Sequence, residues 1–301
     1  MPDVDKKSSG DSVIALVSCP LQRGVAAKMT QFVYDLGADI IEHRQYVDTD
    51  QNNLFARLEW RSTQPDASHE NIEAHFCKTI AEPLDMQWSL HLSADPVRMA
   101  VFVTTEMGHL YNLVMHCMAH LWNATIPLII SNQPYLAEEA ERFGIEFQHV
   151  PISKDNKTAQ EKLELELLQR HGIELVVLAR YMQIFSEQMI TPYRNRIINI
   201  HHSMLPAFSG AQPYKQAYDR GVKLIGATSH FVTEDLDEGP VILQDVFHIS
   251  VGADSLEEIK RRGRELEAKV LTEAVKMFVR DELVVADSKV LFRPGRVSGS
   301  S

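Results

Sequence analysis

Three polar residues of the sequence could together act on a carbonyl carbon. Asn199 and His201 lie two positions apart at the end of an apolar segment, and Asp237 lies in a turn-forming segment further along the chain. An amide and a protonated imidazole can both donate hydrogen bonds to the oxyanion that forms when a carbonyl is attacked. A nearby carboxylate favours the protonated imidazole and can accept a proton from the attacking nucleophile. These residue types therefore indicate hydrolysis or transfer of an acyl group.

The attacking group is expected to come from outside the protein. Ser203 follows His201 by two residues, but no Gly-x-Ser-x-Gly motif surrounds it. Direct attack by water or by an amine is therefore favoured over an acyl-enzyme. From the residue types alone, a purely structural role for Asn199, His201 and Asp237 stays open.

One strand should position two of these residues. Residues 195–198 predict the end of a buried strand, and side chains alternate along a strand, so Asn199 and His201 should point the same way. Open α/β sheets carry their sites at the C-terminal ends of strands. Two longer predicted strands, residues 224–231 and 241–249, flank the turn that contains Asp237.

Strands and helices alternate after Arg98, which predicts a doubly wound, mostly parallel α/β sheet for residues 97–293. The apolar run 175–178 is typical of a parallel strand that is covered on both faces. Ser255 and Glu258 fit a capping box at the start of a long helix that ends at Val279. The other predicted elements are strands 99–103, 127–130 and 147–150, helices 109–122, 136–143 and 158–171, and a terminal hairpin of 283–285 and 290–292.

A smaller domain is predicted for residues 12–93. Its elements follow the order β-α-β-β-α-β of a ferredoxin-like fold. They are strand 12–19, a helix from Val25 to Leu36, a hairpin of 39–47 and 54–60, helix 69–80 and strand 87–92. Residues 93–96 should link the two domains, because the composition turns polar before a proline. Residues 294–301 are predicted to be disordered.

Composition limits the class of protein. A chain of 301 residues suits two domains, and 45% hydrophobic with 24% charged residues is typical of a globular protein. The net charge of −11 disfavours a nucleic-acid partner. Cys19, Cys77 and Cys117 are widely spaced, as in a reducing compartment without disulfides. No apolar run could span a membrane and the N-terminus is polar, so we expect a cytoplasmic protein.

Three histidines of one predicted helix could suggest a metal site. His109, His116 and His120 are spaced so that they would share one helical face. No further ligand is evident, so we predict no metal site. We instead expect His109 to lie at the mouth of the active site.

Longer motifs around the three polar residues resemble a known family. They are Asn-Ile-His-His-Ser-x-Leu-Pro-Ala-Phe at 199–208, Gly-Val-Lys-Leu-Ile-Gly-Ala-Thr-Ser-His-Phe-Val at 221–232 and Asp-x-Gly-Pro at 237–240. Together they resemble the folate-dependent formyltransferases. The doubled histidine and the N-terminal domain resemble the 10-formyltetrahydrofolate deformylases within that fold. The resemblance implies that Asn199, His201 and Asp237 are catalytic.

The same resemblance implies a folate site formed by two loops, residues 180–185 and 233–237. Their backbone would hold the pterin while apolar side chains flank it. The substrate carries the formyl group itself, so no separate cofactor is expected. The implied substrate-binding residues are Met182, Gln183, Ile184, Phe185, Thr233, Glu234, Asp235, Leu205 and His109.

The segment 104–110 favours water as the acceptor of the formyl group. Related transformylases have a Gly- and Ser-rich loop there that binds a phosphate through backbone amides. Here the segment has one glycine, and Glu106 would repel a phosphate. Three alternatives stay open: a formyltransferase for an unphosphorylated amine, a regulator with a vestigial site, and a metal-dependent hydrolase. No physical role follows from the sequence for His202.

The N-terminal domain resembles an ACT domain, a module that pairs with a second copy and often binds an amino acid. We therefore expect a homo-oligomer. Residues 18–24 match the family's first loop imperfectly, because Leu21 stands where deformylases usually carry an aspartate. An amino-acid effector and a purely dimerising role both stay open.

Overall fold

The computed structural model describes residues 12–61, 69–206, 213–250, 252–286 and 288–292. It divides into two compact units, one comprising the described residues up to Asp95 together with Phe292, the other running from Pro96 to Leu291. The boundary falls within the predicted linker 93–96. The predicted disordered tail, 294–301, lies outside the described residues.

The N-terminal unit has one antiparallel sheet in the order β2-β3-β1-β4. Its elements are β1 (Ser12–Pro20), α1 (Val25–Asp35), β2 (Asp39–Asp48), β3 (Asn53–Arg61), α2 (His69–Phe76) and β4 (Gln87–Leu92). This arrangement confirms the predicted β-α-β-β-α-β fold. The predicted second helix is correct in position but too long as an α-helix, because the chain passes into a π-turn, Cys77–Ala81, after Phe76.

An aromatic and aliphatic core holds this unit together. Val25, Met29, Phe32 and Val33 recur at helical spacing on α1 and are all buried. Phe32 packs edge-to-face on Trp60 of the sheet with ring centroids 6.2 Å apart. Burial of this face explains why α1 forms where the sequence predicts it.

The second unit contains a seven-stranded sheet in the order β11-β10-β9-β8-β5-β6-β7. The strands are β5 (Val97–Val103), β6 (Ala124–Ser131), β7 (Glu146–His149), β8 (Leu175–Ala179), β9 (Ile197–His201), β10 (Leu224–Phe231) and β11 (Val241–His248). Pairings from β7 to β9 are parallel, and β9–β10 and β10–β11 are antiparallel. The predicted mostly parallel α/β sheet is confirmed.

Helices cover both faces of this sheet. They are α3 (Met107–Met118), α4 (Ala137–Arg142), α5 (Lys157–Arg170), α6 (Glu187–Ile190), α7 (Pro213–Asp219) and α8 (Leu256–Val279). Residues of α3 and α8 share one core with Val101 and Val177, and residues of α5 and α6 share another with Ala100 and Val176. All five residues of β8 are buried, as expected for a strand between two helical layers. A separate two-stranded sheet joins β12 (Leu283–Ala286) to β13 (Lys289–Phe292).

Two local predictions differ from the structure. Helix α3 ends at Met118, not at Trp122, because the chain turns at His120, whose φ is +52°. Trp122 then folds back and stacks on His116 with ring centroids 4.8 Å apart. The strand predicted at 195–198 begins only at Ile197, since Asn195 has a left-handed φ of +58°.

Ser255 is the N-cap of the long helix, as predicted, because its hydroxyl accepts a hydrogen bond of 3.2 Å from the Glu258 amide. The Glu258 carboxylate, the second partner of the predicted capping box, accepts hydrogen bonds from Arg261. Within the described ranges, no helix is both long and apolar enough to cross a membrane.

Candidate active site

The site lies at the C-terminal end of β9, where Asn199 and His201 line a cavity of about 890 Å³. Asp237, in the turn between β10 and β11, lines the same cavity. The structure therefore brings together the three residues that the sequence singles out. Strand β10 runs antiparallel beside β9 and ends with Phe231 opposite Ile198, and the turn that follows folds back so that Asp237 reaches His201.

A tightly packed glycine places Asp237. A Cβ atom at Gly239 would lie 1.8 Å from the Phe231 carbonyl oxygen, so only glycine allows the turn to fold this closely over β10. The Phe231 amide donates a 2.9 Å hydrogen bond to the Pro240 carbonyl and closes the turn. Asp237 itself has a left-handed φ of +59°, a conformation that aspartate tolerates better than most residues.

Asp237 and His201 form the central polar contact. His201 Nδ1 lies 3.2 Å from Asp237 Oδ2. Hydrogen bonding from His201 holds the pKa of Asp237 well below its usual value, against the opposing effect of burial. Asp237 is therefore ionised at neutral pH and can orient water or accept a proton.

The other ring nitrogen of His201 is free for a substrate. Because Nδ1 faces a carboxylate, which only accepts, Nδ1 carries a hydrogen. His201 is 6% exposed, and its Nε2 is buried without a hydrogen-bond partner in the described part of the chain. A buried polar atom without a partner is costly in a resting protein, and His201 is one of the residues that line the cavity. The carbonyl oxygen or the leaving nitrogen of a substrate could supply the missing hydrogen-bond partner of Nε2.

His230 is a site residue that the sequence reasoning missed. It is 2% exposed on β10, directly paired with Asn199 on β9. Its Nδ1 lies 2.9 Å from the Phe231 carbonyl, which can only accept, so Nδ1 carries the hydrogen. Its Nε2 lies 3.2 Å from Asn199 Nδ2 and 3.6 Å from Asp237 Oδ1. The signal for it was a histidine inside a predicted strand next to the predicted site.

Asn199 is held by two neighbours. Its Nδ2 donates one hydrogen toward His230 Nε2, which leaves the second amide hydrogen for another acceptor. The Ser229 hydroxyl donates a 3.0 Å hydrogen bond to the Asn199 carbonyl and fixes the backbone. The amide is thus oriented before any ligand binds, which is the condition for effective oxyanion stabilisation.

His202 supports His201 by stacking. The two rings are nearly parallel, with their centroids 5.0 Å apart and 10° between their planes. Burial lowers the pKa of His202 to about 4, partly opposed by the charge of Glu267. His202 is therefore uncharged at neutral pH and presents a flat, neutral wall to the cavity.

A second polar cluster is formed by Arg180, Tyr214, Glu267 and His109. Arg180 donates two hydrogen bonds to Glu267, at 3.1 and 2.8 Å, and the Tyr214 hydroxyl donates a third. Burial alone raises the pKa of Glu267, but His109, Arg180 and Tyr214 together lower it to about 2. Tyr214 reaches Glu267 across α8 at Gly263, where a Cβ atom would lie 2.4 Å from the tyrosine ring. Arg180 and Tyr214 line the cavity.

The predicted position of His109 at the mouth of the site is wrong. Its side chain is 2% exposed and lies behind the cavity, with Nε2 3.4 Å from Glu267 Oε2. His120 does not share a helical face with His109, because it follows the end of α3, and His116 stacks on Trp122. Across the described residues, no three His, Cys, Asp or Glu side chains are placed to hold a metal ion.

Part of the predicted folate loop lines the cavity. Met182, Gln183 and Ile184 form one wall with Leu236, and Met182 and Ile184 are largely exposed there. Phe185 is buried, and it borders a smaller neighbouring cavity of about 40 Å³.

Other predicted binding residues lie elsewhere. Thr233 borders only the small neighbouring cavity. Glu234 lies 3.3 Å from Arg194, and the Asp235 carbonyl accepts a hydrogen bond from the Thr233 hydroxyl. Leu205 is held through its backbone, where its amide donates to the Thr228 hydroxyl. The lining of the larger cavity contains no side chain of Thr233, Glu234, Asp235 or Leu205.

The class of protein follows from this fold and site. The second unit matches the family model described as "Formyl transferase" over residues 97–275. A solved glycinamide ribonucleotide transformylase 1 from Symbiobacterium toebii superposes with a TM-score of 0.62 at 33% identity, over 68% of this chain and 98% of that one. The catalytic unit is therefore of the formyl transferase class.

Comparisons over the whole chain define the family. A formyltetrahydrofolate deformylase of Bacillus subtilis is 43% identical over 277 residues, 92% of each chain. A solved formyltetrahydrofolate deformylase from Pseudomonas syringae superposes with a TM-score of 0.90 at 34% identity, over 96% of both chains. The chain belongs to the formyltetrahydrofolate deformylase family.

Proposed function

We propose that the protein hydrolyses 10-formyltetrahydrofolate to formate and tetrahydrofolate, as the names of its relatives indicate for them. One observation carries the proposal. Ionised Asp237 fixes His201 through Nδ1, while His201 Nε2 and one hydrogen of the Asn199 amide remain available at the same cavity. Two donors and one proton acceptor around a cavity are the groups that attack of water on a formyl carbon requires.

The proposed reaction proceeds by direct attack of water. In the reacting form the His201 ring carries a hydrogen on Nε2 as well as on Nδ1, so the formyl oxygen accepts hydrogen bonds from Asn199 and from His201 Nε2, while Asp237 orients the water and takes up its proton. A C–O bond forms between water and the formyl carbon, and the oxyanion is stabilised by both donors. The bond between that carbon and N10 then breaks with its electron pair on N10, which receives a proton from His201 or through water. The products are formate and tetrahydrofolate.

The cavity suits a folate. Its volume of about 890 Å³ lies within the range of small-molecule sites. Met182, Ile184 and Leu236 offer apolar contacts for a flat ring system, beside the polar end formed by Asn199 and Asp237. In this proposal Met182, Gln183 and Ile184 contact the substrate directly, while Phe185 and Thr233 support the loops from behind. The formyl group arrives on the substrate, so no separate cofactor takes part.

The test of this function is formate release from 10-formyltetrahydrofolate alone by the wild type and by Asp237→Asn. The variant keeps the shape of the side chain but cannot accept a proton, so we expect a loss of about 100-fold or more in kcat. Asp235→Asn is the matched control in the same turn and should retain full activity.

Two of the alternatives, a formyltransferase and a regulator, predict a different result in this assay. Hydrolysis by Asp237→Asn at the wild-type rate would contradict the role of Asp237. Wild-type protein that releases formate only after an amine is added would be a formyltransferase. Folate binding without any turnover would indicate a regulator.

For the N-terminal unit we propose pairing with a second copy of the chain. The edge strand β2 exposes Ile40 and Ile41, and an unpaired strand edge with apolar side chains favours association. An amino-acid effector at this unit is a further proposal, and a formate-release rate unchanged by every amino acid would contradict it.

A cytoplasmic location is supported by Cys19, Cys77 and Cys117, none of which forms a disulfide.

A further inference from the structure

The backbone at Arg180 is unusual. Arg180 is the first residue after β8 and has a φ of +58°. The other non-glycine residues with positive φ in the described ranges are all asparagine, aspartate or histidine, the types that tolerate this conformation best. Arginine has no such local preference, so the surroundings of its side chain must hold it there.

The side chain supplies that reason. Its guanidinium donates two hydrogen bonds to Glu267, whose carboxylate is fully buried. Arg180 itself lines the cavity and its side chain is 21% exposed, whereas Glu267 is absent from the cavity lining. The guanidinium therefore stands between the cavity and an ionised carboxylate.

Without this cover, Glu267 would offer a carboxylate to the cavity. A carboxylate at the wall of a site binds ammonium groups and hydroxyls, which are the features of an amine or polar acceptor. Arg180 neutralises that charge, and Tyr214 occupies another lone pair of the same group. Both carboxylate oxygens of Glu267 are thus already hydrogen-bonded.

The covered carboxylate lies on the side where a second reactant would approach. A folate along Met182, Ile184 and Leu236 occupies the apolar wall. The rest of the lining includes Arg180, His202, Tyr214 and, besides Asp237, one carboxylate, Glu106, whose charge also acts on the Arg180 guanidinium. The same lining includes the cations Lys215, Lys260 and Arg264. A water molecule is small and uncharged, so it can pass this part of the lining and reach the formyl carbon without a binding group of its own.

We propose that Arg180 determines the acceptor: by covering Glu267 it excludes amines, so that water attacks the formyl group. The proposal rests on the hydrolysis proposed above and specifies its second reactant. Arg180 acts through Glu267 and is a positioning residue, not a catalytic one. In the alternative reaction that it prevents, the amine nitrogen bonds to the formyl carbon, the bond to N10 breaks, and N10 takes up the proton that the amine loses.

The experiment measures product partition with 10-formyltetrahydrofolate and glycinamide as the probe amine. Formate and N-formylglycinamide are quantified by NMR for the wild type, Arg180→Gly and Arg180→Asn. Glycine and asparagine both accept the left-handed backbone, so at least one variant should fold. Asn52→Gly, at another left-handed position in the N-terminal unit, is the control for backbone relief.

We expect the wild type and Asn52→Gly to produce formate only. In the Arg180 variants the ratio of N-formylglycinamide to formate should rise by about tenfold or more, since a carboxylate that binds the amine raises its local concentration. An unchanged ratio in folded variants would overturn the proposal. Loss of both products in both variants would overturn it as well, because Arg180 would then belong to the hydrolytic machinery. A failure of the proposed function itself gives a different result, because the wild type would then release no formate.

Discussion

Hydrogen-bond direction at single ring nitrogens determines what the site can do. His201 and His230 both use Nδ1 for a fixed protein acceptor, a carboxylate in one case and a backbone carbonyl in the other. The other ring nitrogen, Nε2, has different surroundings in the two residues. In His201 it is buried without a hydrogen-bond partner in the described residues, and in His230 it faces Asn199 and Asp237. The two histidines have the same chemistry but different roles, because only their surroundings differ.

A substitution at His230 should separate positioning from chemistry. His230→Gln loses the ring that aligns Asn199, so we expect kcat to fall by about 10- to 100-fold with little change in KM. The Nδ1 hydrogen bond from His201 to Asp237 stays in place, so the acid limb of the activity profile should lie where it does in the wild type.

The measurement is a pH profile of kcat and kcat/KM for the wild type and His230→Gln. His116→Gln is the matched control, because His116 stacks on Trp122 outside the cavity lining. An unchanged kcat in this variant would show that His230 does not position Asn199.

At the scale of elements, helix α5 fixes the cavity loop with two buried carboxylates. The Ser186 amide and hydroxyl donate to Glu161, at 2.9 and 2.5 Å, and the Tyr181 hydroxyl donates to Glu164 at 3.0 Å. Both ends of the segment that contains Met182 are thereby tied to one helix. Polar residues at these buried positions also break the apolar pattern of α5, yet the periodicity of its leucines still predicted the helix.

The Glu164 carboxyl should make stability depend on pH. Burial raises the pKa of Glu164 to about 7, from 4.5. Between these values the folded state binds a proton that the unfolded state does not, so stability falls as pH rises from 4.5 through 7. The loss is of the order of 3 kcal/mol when it is complete. Glu164→Gln stays neutral, so the catalytic unit of this variant should lose much less stability between pH 5 and pH 8.

Hydrogen exchange of the β8 amides, compared at pH 5 and pH 8 after correction for the intrinsic rate, measures this difference. Glu166→Gln, on the exposed face of the same helix, should leave the wild-type dependence unchanged. Equal pH dependence in wild type and Glu164→Gln would contradict the assignment of the proton to Glu164.

At the scale of the whole molecule, each of the two units has its own core. The edge strand β2 of the N-terminal unit shows the apolar surface expected of an association face. Ile41 is 46% exposed and lies at a break in the pairing of β2 with β3. A charge at this position should oppose pairing of two copies without disturbing a core.

Ile41→Glu should therefore reduce the molar mass measured by light scattering toward that of a monomer. Met115→Glu places the same charge at an exposed apolar residue of α3 and should leave the mass unchanged. A wild-type protein that is monomeric at all concentrations, or an oligomer unaffected by Ile41→Glu, would place any association elsewhere.

The sequence by itself determined the element order, the class of fold and the residues that could act on a carbonyl. These follow from local information: apolar periodicity predicts strands and helices, and side-chain chemistry is fixed by residue type. The prediction that Asn199 and His201 face one way needed only the alternation of a strand. Boundaries such as the end of α3 failed because they depend on a left-handed residue, His120, that no periodicity reveals.

Only the tertiary structure decided which distant groups meet and which nitrogen faces the cavity. Arg180 and Glu267 are 87 residues apart in the chain, and their pairing depends on packing of β8 against α8. His109 was expected at the mouth of the site but is buried, because its helix turns it toward Glu267. Burial, pKa and hydrogen-bond direction arise from contacts between elements, so they are determined only once the chain has folded.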